Sequence, residues 1–275
     1  MNKLKFGTAG IPFSTKGDTL QGIMDVKKLG LDAMELEFVR SINISSEKAP
    51  EVKKTAKQAD VVLTCHAPYF INLNSLEKKK MEASKKRILD SARRAYACGA
   101  YSVCFHPGFY MKMDPKKVYE TIKKQMQEVM RTLYDEGIKI WVRPETTGKG
   151  TQFGSYEELA KITSEIEGMM PCVDFSHVHA RSGGKFNTKN EFKQILETVE
   201  KYHGKEGLKN MHIHVSGIAY TEKGERNHLN LEESDMNYKD LLKVWKEFMI
   251  AGVVISESPN IEQDALLMKK TYEKY

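Results

Sequence analysis

The chain has 275 residues, 40% hydrophobic and 29% charged, and 43 basic against 37 acidic side chains leave a net charge of +6. That balance excludes a disordered or low-complexity chain, and no run approaches the roughly 18 apolar residues of a membrane span. A moderate positive charge permits a polyanionic partner without requiring one.

The N-terminal Met1-Asn2-Lys3-Leu4-Lys5 carries no signal-peptide core, so a cytoplasmic protein is expected. Cys65, Cys104 and Cys172 fall inside predicted strands and Cys98 near a helix end, with no C-x-x-C pair. They read as small buried hydrophobes kept reduced, not as a structural thiolate zinc site.

In chain order, Leu4–Gly10 is a short strand, and Leu20–Leu29 a helix closed by Gly30. Ala33–Phe38 is the second strand; a loop, Val39–Ser46, leads to a helix over Pro50–Asp60. Val61–His66 is the third strand, broken at Pro68, with a long helix over Glu77–Cys98. Tyr101–His106 is the fourth, stopped by Pro107-Gly108 and followed by a helix over Pro115–Glu136. Ile138–Glu145 is the fifth, ending in a carboxylate and the glycine-rich loop Thr146–Gly150; Tyr156–Glu167 is helical. Met170–His177 is the sixth, running into Ala180–Lys185 and a helix over Lys189–Tyr202. Asn210–Val215 is the seventh, with a polar loop to about Asp235 and a helix over Tyr238–Ala251. Val253–Glu257 is the eighth, and Gln263–Tyr275 the last helix.

Eight strand–helix units in strict alternation predict parallel strands with crossover helices, closed as a (β/α)₈ TIM barrel, an α/β fold. No Gly-x-Gly-x-x-Gly follows the first strand, which disfavours an open dinucleotide-binding sheet. No linker interrupts the chain, so residues 1–275 are expected to form one domain.

In such a barrel the strand C-termini share one face, where the chemistry sits. There the sequence places His66, His106, Glu145, Asp174, His177, His212, His214 and Glu257. Any one of them has a bland reading, as a helix cap or a hydrogen-bonded histidine. Gathered without lysine partners, imidazoles and carboxylates are best satisfied by divalent metals. A His/Asp/Glu set suits Zn2+, with Mn2+ or Co2+ as alternatives, and so many ligands predict at least two ions.

The segments His66-Ala67-Pro68-Tyr69-Phe70-Ile71-Asn72-Leu73, Phe105-His106-Pro107-Gly108, Pro144-Glu145-Thr146-Thr147-Gly148-Lys149-Gly150, Val173-Asp174-Phe175-Ser176-His177 and Ser256-Glu257-Ser258-Pro259 resemble the endonuclease IV family of apurinic/apyrimidinic endonucleases, in the family's order and over nearly the whole chain. The resemblance implies a barrel with three zinc ions that cleaves DNA 5′ to abasic sites. His66 and His106 would hold one ion, and Glu145 would bridge to a second completed by Asp174, His212 and Glu257. Glu145 and Glu257 are the acids placed at the reaction centre. His177 and His228 would hold the third. The family has an Asp-x-His element there; this chain reads Gly224-Glu225-Arg226-Asn227-His228, leaving Glu225 as the carboxylate at an altered spacing. His214 has no ligand role in that pattern and reads as a hydrogen-bond partner.

By the same resemblance Tyr69 would enter the minor groove beside the lesion. Arg40, Arg181, Lys185 and Arg226 lie in loops on the expected active face and are the candidate phosphate contacts. The expected partner is double-stranded DNA with abasic sites, bound by a monomer. A rival reading uses Glu145, Asp174, His212 and Glu257 alone, as the single-metal site of a sugar isomerase or epimerase with two acids as acid and base. A barrel used only as a binding scaffold would have little reason to gather these ligands.

Overall fold

A computed structural model describes all residues, 1–275. The chain runs β1 (Leu4–Ala9), α1 (Thr19–Lys28), β2 (Ala33–Glu37), α2 (Ala49–Ala59), β3 (Val62–His66), α3 (Lys78–Ala97), β4 (Ser102–Phe105), β5 (Gly108–Phe109) and α4 (Pro115–Asp135). It continues through β6 (Trp141–Pro144), β7 (Gln152–Phe153), α5 (Tyr156–Ser164), β8 (Cys172–Asp174), α6 (Phe175–Arg181) and α7 (Lys189–Lys209). The last third holds β9 (Met211–Val215), β10 (Gly217–Thr221), β11 (Gly224–Leu229), α8 (Tyr238–Glu247), β12 (Gly252–Ser256) and α9 (Glu262–Glu273).

Eight of these strands make one parallel sheet in the order β6-β4-β3-β2-β1-β12-β9-β8. Its two ends meet through isolated parallel bridges, Val142 with Met169 and Glu145 with Cys172, so the sheet closes as the expected TIM barrel. The helices cover its outside, and one cluster of 61 buried apolar residues fills the space between.

Local chemistry explains the helix starts. Asp114 caps α4 by accepting from the amides of Lys116 and Lys117, with Pro115 at the first turn, and α4 then buries Val118, Ile122, Met126, Val129 and Leu133 on one stripe. Ser155 and Glu158 form a reciprocal capping box on α5.

The structure departs from the sequence reading in three places that matter for the site. The sixth strand is only three residues long, because Asp174 accepts from the His177 amide at 2.7 Å and starts a helix. His177 therefore projects from α6, not from a strand. The polar loop after the seventh strand is largely a hairpin of β10 and β11. Helix α7 extends past Tyr202 to Lys209, with a break at Gly204.

At the closure Arg143 performs the tie that regular pairing does not. Its guanidinium, fully buried, donates to the carbonyls of Pro171 at 3.1 Å and Asn210 at 2.8 Å and to Asn210 Oδ1 at 2.9 Å.

Candidate metal centre

Alternate residues of a strand face the same way, so each inward-facing strand end supplies a pair of side chains, one above the other. Five such pairs build the barrel interior here: Glu35 and Glu37, Cys104 and His106, Arg143 and Glu145, Cys172 and Asp174, His212 and His214. The upper members, with His66, Glu257 and His177, make one cluster at the mouth.

Glu145 is its centre. Its Oε2 lies 3.1 Å from His66 Nε2 and 3.2 Å from His106 Nε2, while its Oε1 lies 3.1 Å from His214 Nδ1 and 3.4 Å from His177 Nδ1. The two oxygens of one carboxylate thus address different sets of ligands. Glu145, Asp174, His214 and Glu257 bring ligand atoms within 4.8 Å of one another, as do His106, Glu145 and His177.

A third group forms on the hairpin. His228 Nε2 lies 3.4 Å from His177 Nε2, and Glu225 Oε2 lies 3.6 Å from that same nitrogen. Residues three apart on a regular strand face opposite ways, yet Glu225 and His228 converge. The ladder explains this: Ala219 pairs with Asn227 and the next residue, Tyr220, with Glu225, leaving Arg226 as the extra residue of a β-bulge. The altered spacing is absorbed there. A Cβ on Gly148 would lie 2.6 Å from the Glu225 carboxylate, so only glycine lets the loop after Glu145 pack against it.

Backbone carbonyls set the histidine tautomers. His66 Nδ1 donates to Ala67 at 2.6 Å, His177 Nδ1 to Thr146 at 3.0 Å and His228 Nδ1 to Glu257 at 3.1 Å. Each Nε2 is left to face the cluster, the arrangement that metal-binding histidines use.

The electrostatics point the same way. Burial disfavours charge on Glu145, but the imidazoles of His106 and His214 beside it hold it well below the usual carboxylate range. Burial likewise opposes a charged His66, yet Glu145 and its neighbours raise it to about 10. Asp174 is pushed well up by burial and by the nearby Glu257 and Glu145 carboxylates. Within the cluster every cationic partner is a histidine. Asp174 Oδ2 is buried without a hydrogen bond. A donor set this crowded with lone pairs and this short of cations fits divalent metals.

Not every expected residue is there. His212 sits one pair deeper, its Nδ1 3.0 Å from Ser102 Oγ and its Nε2 3.0 Å from Glu35. His214, read from sequence as a hydrogen-bond partner, takes the place at Glu145 instead, because the upper member of the pair is the one that reaches the mouth. Glu35 and Glu37 escaped the sequence reading altogether, although an acid at every second position of a strand was the available signal. Glu37 is pushed to about 8 by burial and by the Glu35 charge.

Around the mouth, Tyr69 is 57% exposed, with its ring 5.3 Å from His66 and 6.3 Å from His106. Phe13 and Phe70 are exposed on loops that follow β1 and β3, and Phe109 is exposed on the short strand β5. Arg40, Lys185 and Arg226 are exposed. Arg181 is not a free hand: its Nη1 donates to Thr147 Oγ1, Lys149 O and Gln152 O at 3.0, 2.6 and 2.9 Å, bracing the loop behind Glu145.

A closed parallel barrel with ligand groups at its strand C-termini is the architecture of a metal-dependent TIM-barrel enzyme class. The family described as the xylose isomerase-like TIM barrel matches residues 23–273, and the chain belongs to it. Its relatives include the uncharacterized protein MJ0133 of Methanocaldococcus jannaschii, 44% identical over 98% of this chain and 97% of the relative. The probable endonuclease 4 of Listeria monocytogenes serotype 4b is 26% identical over 86% of this chain and 77% of its own length. The fold matches endonuclease IV from Thermus thermophilus with a TM-score of 0.74 at 18% identity, over 98% of this chain and 100% of that one. It matches a D-tagatose 3-epimerase-like protein almost as well, with a TM-score of 0.72 at 19% identity over 98% and 96%. The chain thus has endonuclease 4 relatives in sequence and shares its fold with both an endonuclease IV and an epimerase-like protein, and the resemblance seen in the sequence holds at the level of the family.

Proposed function

We propose that this protein is a metal-dependent endonuclease that hydrolyses the DNA phosphodiester 5′ to an abasic site. The observation that carries the reading is the continuity of three ligand groups: His66 and His106 on one side of Glu145, Asp174, His214 and Glu257 on the other, and Glu225 with His228 reached through His177. A single-metal sugar enzyme has use for the middle group alone. When bound, divalent ions, zinc by the ligand set, supply the Lewis acidity that phosphodiester hydrolysis needs.

The chain's own residues do the rest. Glu145 holds the two halves of the cluster at a fixed separation, and Glu257 closes the middle group opposite Asp174. The loop carbonyls keep the imidazoles aimed inward. Tyr69 stands at the rim, beyond Pro68, where its ring can fill the gap beside a nucleotide that has no base to stack. Exposed Arg40, Lys185 and Arg226 supply backbone contacts to duplex DNA. One chain provides every group named, so a monomer suffices.

One observation favours a second reading. Glu145, Asp174, His214 and Glu257 form a complete single-ion group by themselves, with the half-buried Glu37 near them, which is what an epimerase requires. The decisive assay is incision of a duplex with one abasic site, run beside a panel of ketoses and aldoses. Incision at that site alone is expected; turnover of a sugar with no incision would replace the first reading by the second.

A further inference from the structure

Beneath the mouth cluster lies a second group that shares only His214 with it, and neither function uses its other members. Cys104 from β4, Cys172 from β8 and His212 and His214 from β9 are all fully buried, and one ligand atom from each lies within 4.8 Å of the others. Glu35 borders them, its Oε2 3.7 Å from Cys104 Sγ and 3.0 Å from His212 Nε2. Ordinary hydrogen bonding leaves this group unsatisfied. His212 Nε2 and Glu35 Oε1 are both buried without a hydrogen bond of acceptable geometry, although Glu35 Oε1 lies 2.8 Å from His214 Nε2. The Cys104 thiol reaches its acceptors only at 3.5–3.8 Å.

A disulfide is not the answer. β6 lies between β4 and β8 around the barrel, so the two cysteines sit about two strand spacings apart, roughly 9–10 Å between backbones. A disulfide spans no more than about 7 Å between Cα atoms.

We propose that this group is a separate, interior metal site for a thiophilic ion of the Zn2+ class, held by the thiolates of Cys104 and Cys172 and by His212 Nε2, with its fourth side closed by Glu35 and His214. Tetrahedral zinc with thiolate and imidazole donors holds them about 3.3–3.8 Å apart, so closure needs side-chain shifts of an ångström or less. Binding releases to solvent any proton the thiols still hold and takes up His212 Nε2, whose contact with Glu35 is not a hydrogen bond of good geometry. Thiolates select zinc or cobalt over manganese or magnesium, which sets this site apart from the oxygen-rich one above it.

Cobalt distinguishes the sites, because a thiolate ligand gives Co2+ an intense near-ultraviolet charge-transfer band. Cys104 also borders His66 and Glu145, but Cys172 belongs to the lower group alone. Protein produced in cells supplied with Co2+ in place of zinc is expected to show the band; Cys172→Ser should reduce it by at least about half, one of two thiolates being lost. Glu145→Gln, which disturbs the mouth, should leave it. No band in the unaltered protein, or a band unchanged by Cys172→Ser, would overturn the proposal. If Cys172→Ser does not fold, X-ray absorption at the zinc edge of the unaltered protein decides: sulfur neighbours at about 2.3 Å support the site, and their absence removes it.

Discussion

Glu145 carries more of the mouth cluster than any other residue, since its two oxygens serve different ligand sets. Glu145→Gln keeps the shape and removes the charge between them. We expect bound metal and incision to fall together, incision by on the order of 10³-fold or more, with circular dichroism unchanged. Full metal stoichiometry in that variant would exclude a bridging role. His214 and His212 give a comparison within one strand. His214→Ala is expected to cost more incision than His212→Ala, and the reverse order would return His212 to the mouth. Sequence could place both on the inward face of the seventh strand, because their parity is the same. It could not choose between them: depth along the barrel axis depends on how far the strand rises relative to its neighbours, and that register is a property of the closed sheet.

Among the elements, the loop after β3 and the β10–β11 hairpin carry contact with a large substrate. Tyr69→Ala should leave metal content intact and weaken binding to abasic duplex more than to undamaged duplex, by about 1–3 kcal/mol, the worth of one stacked ring. Equal losses on both duplexes would leave the ring a packing role only. Duplex affinity should also fall linearly with the logarithm of salt concentration, and replacing Lys185 and Arg226 by alanine should flatten that slope by about two units. Replacing Lys79 and Lys80 on α3 should do less; equal effects would put the DNA on another face. Arg181 is left out of this test because its loss would loosen the loop behind Glu145. The loops were the least legible part of the chain. The hairpin's second strand, Gly224–Leu229, is polar and carries no apolar alternation, and the sixth strand ends early because a capping aspartate outweighs the apolar run around it.

At the scale of the whole molecule, eight strand–helix alternations made the barrel readable, but not the way it closes. The closure between β6 and β8 rests on two isolated bridges with Arg143 between them. Its hydrogen bonds cross to the segments ahead of β8 and β9. Arg143→Met fills the space yet strands the Pro171 and Asn210 carbonyls, at an expected cost of about 2–5 kcal/mol. For a chain of this size that is a fall in Tm of about 3–9 °C by calorimetry. A smaller shift than a few degrees would mean that the bridges close the barrel unaided. Nothing local in Trp141-Val142-Arg143-Pro144 announces this role, because the acceptors come from residues 28 and 67 positions away.

The unpaired Arg226 bears on length instead of identity. Side chains along a strand keep a two-residue phase, and an extra residue resets it. Excising Arg226 would leave Glu-Asn-His, a spacing that an unbroken ladder already puts in phase. The deletion variant is therefore expected to retain its full complement of metal and to lose one unit of salt dependence with the arginine, whereas an alanine added after Asn227 should release an ion. Loss of metal from the shortened chain would show that the hairpin cannot straighten. If it can, Asp-x-His and Glu-x-x-His are two spellings of a single geometry, and a search that demands one fixed spacing would pass over chains that share it.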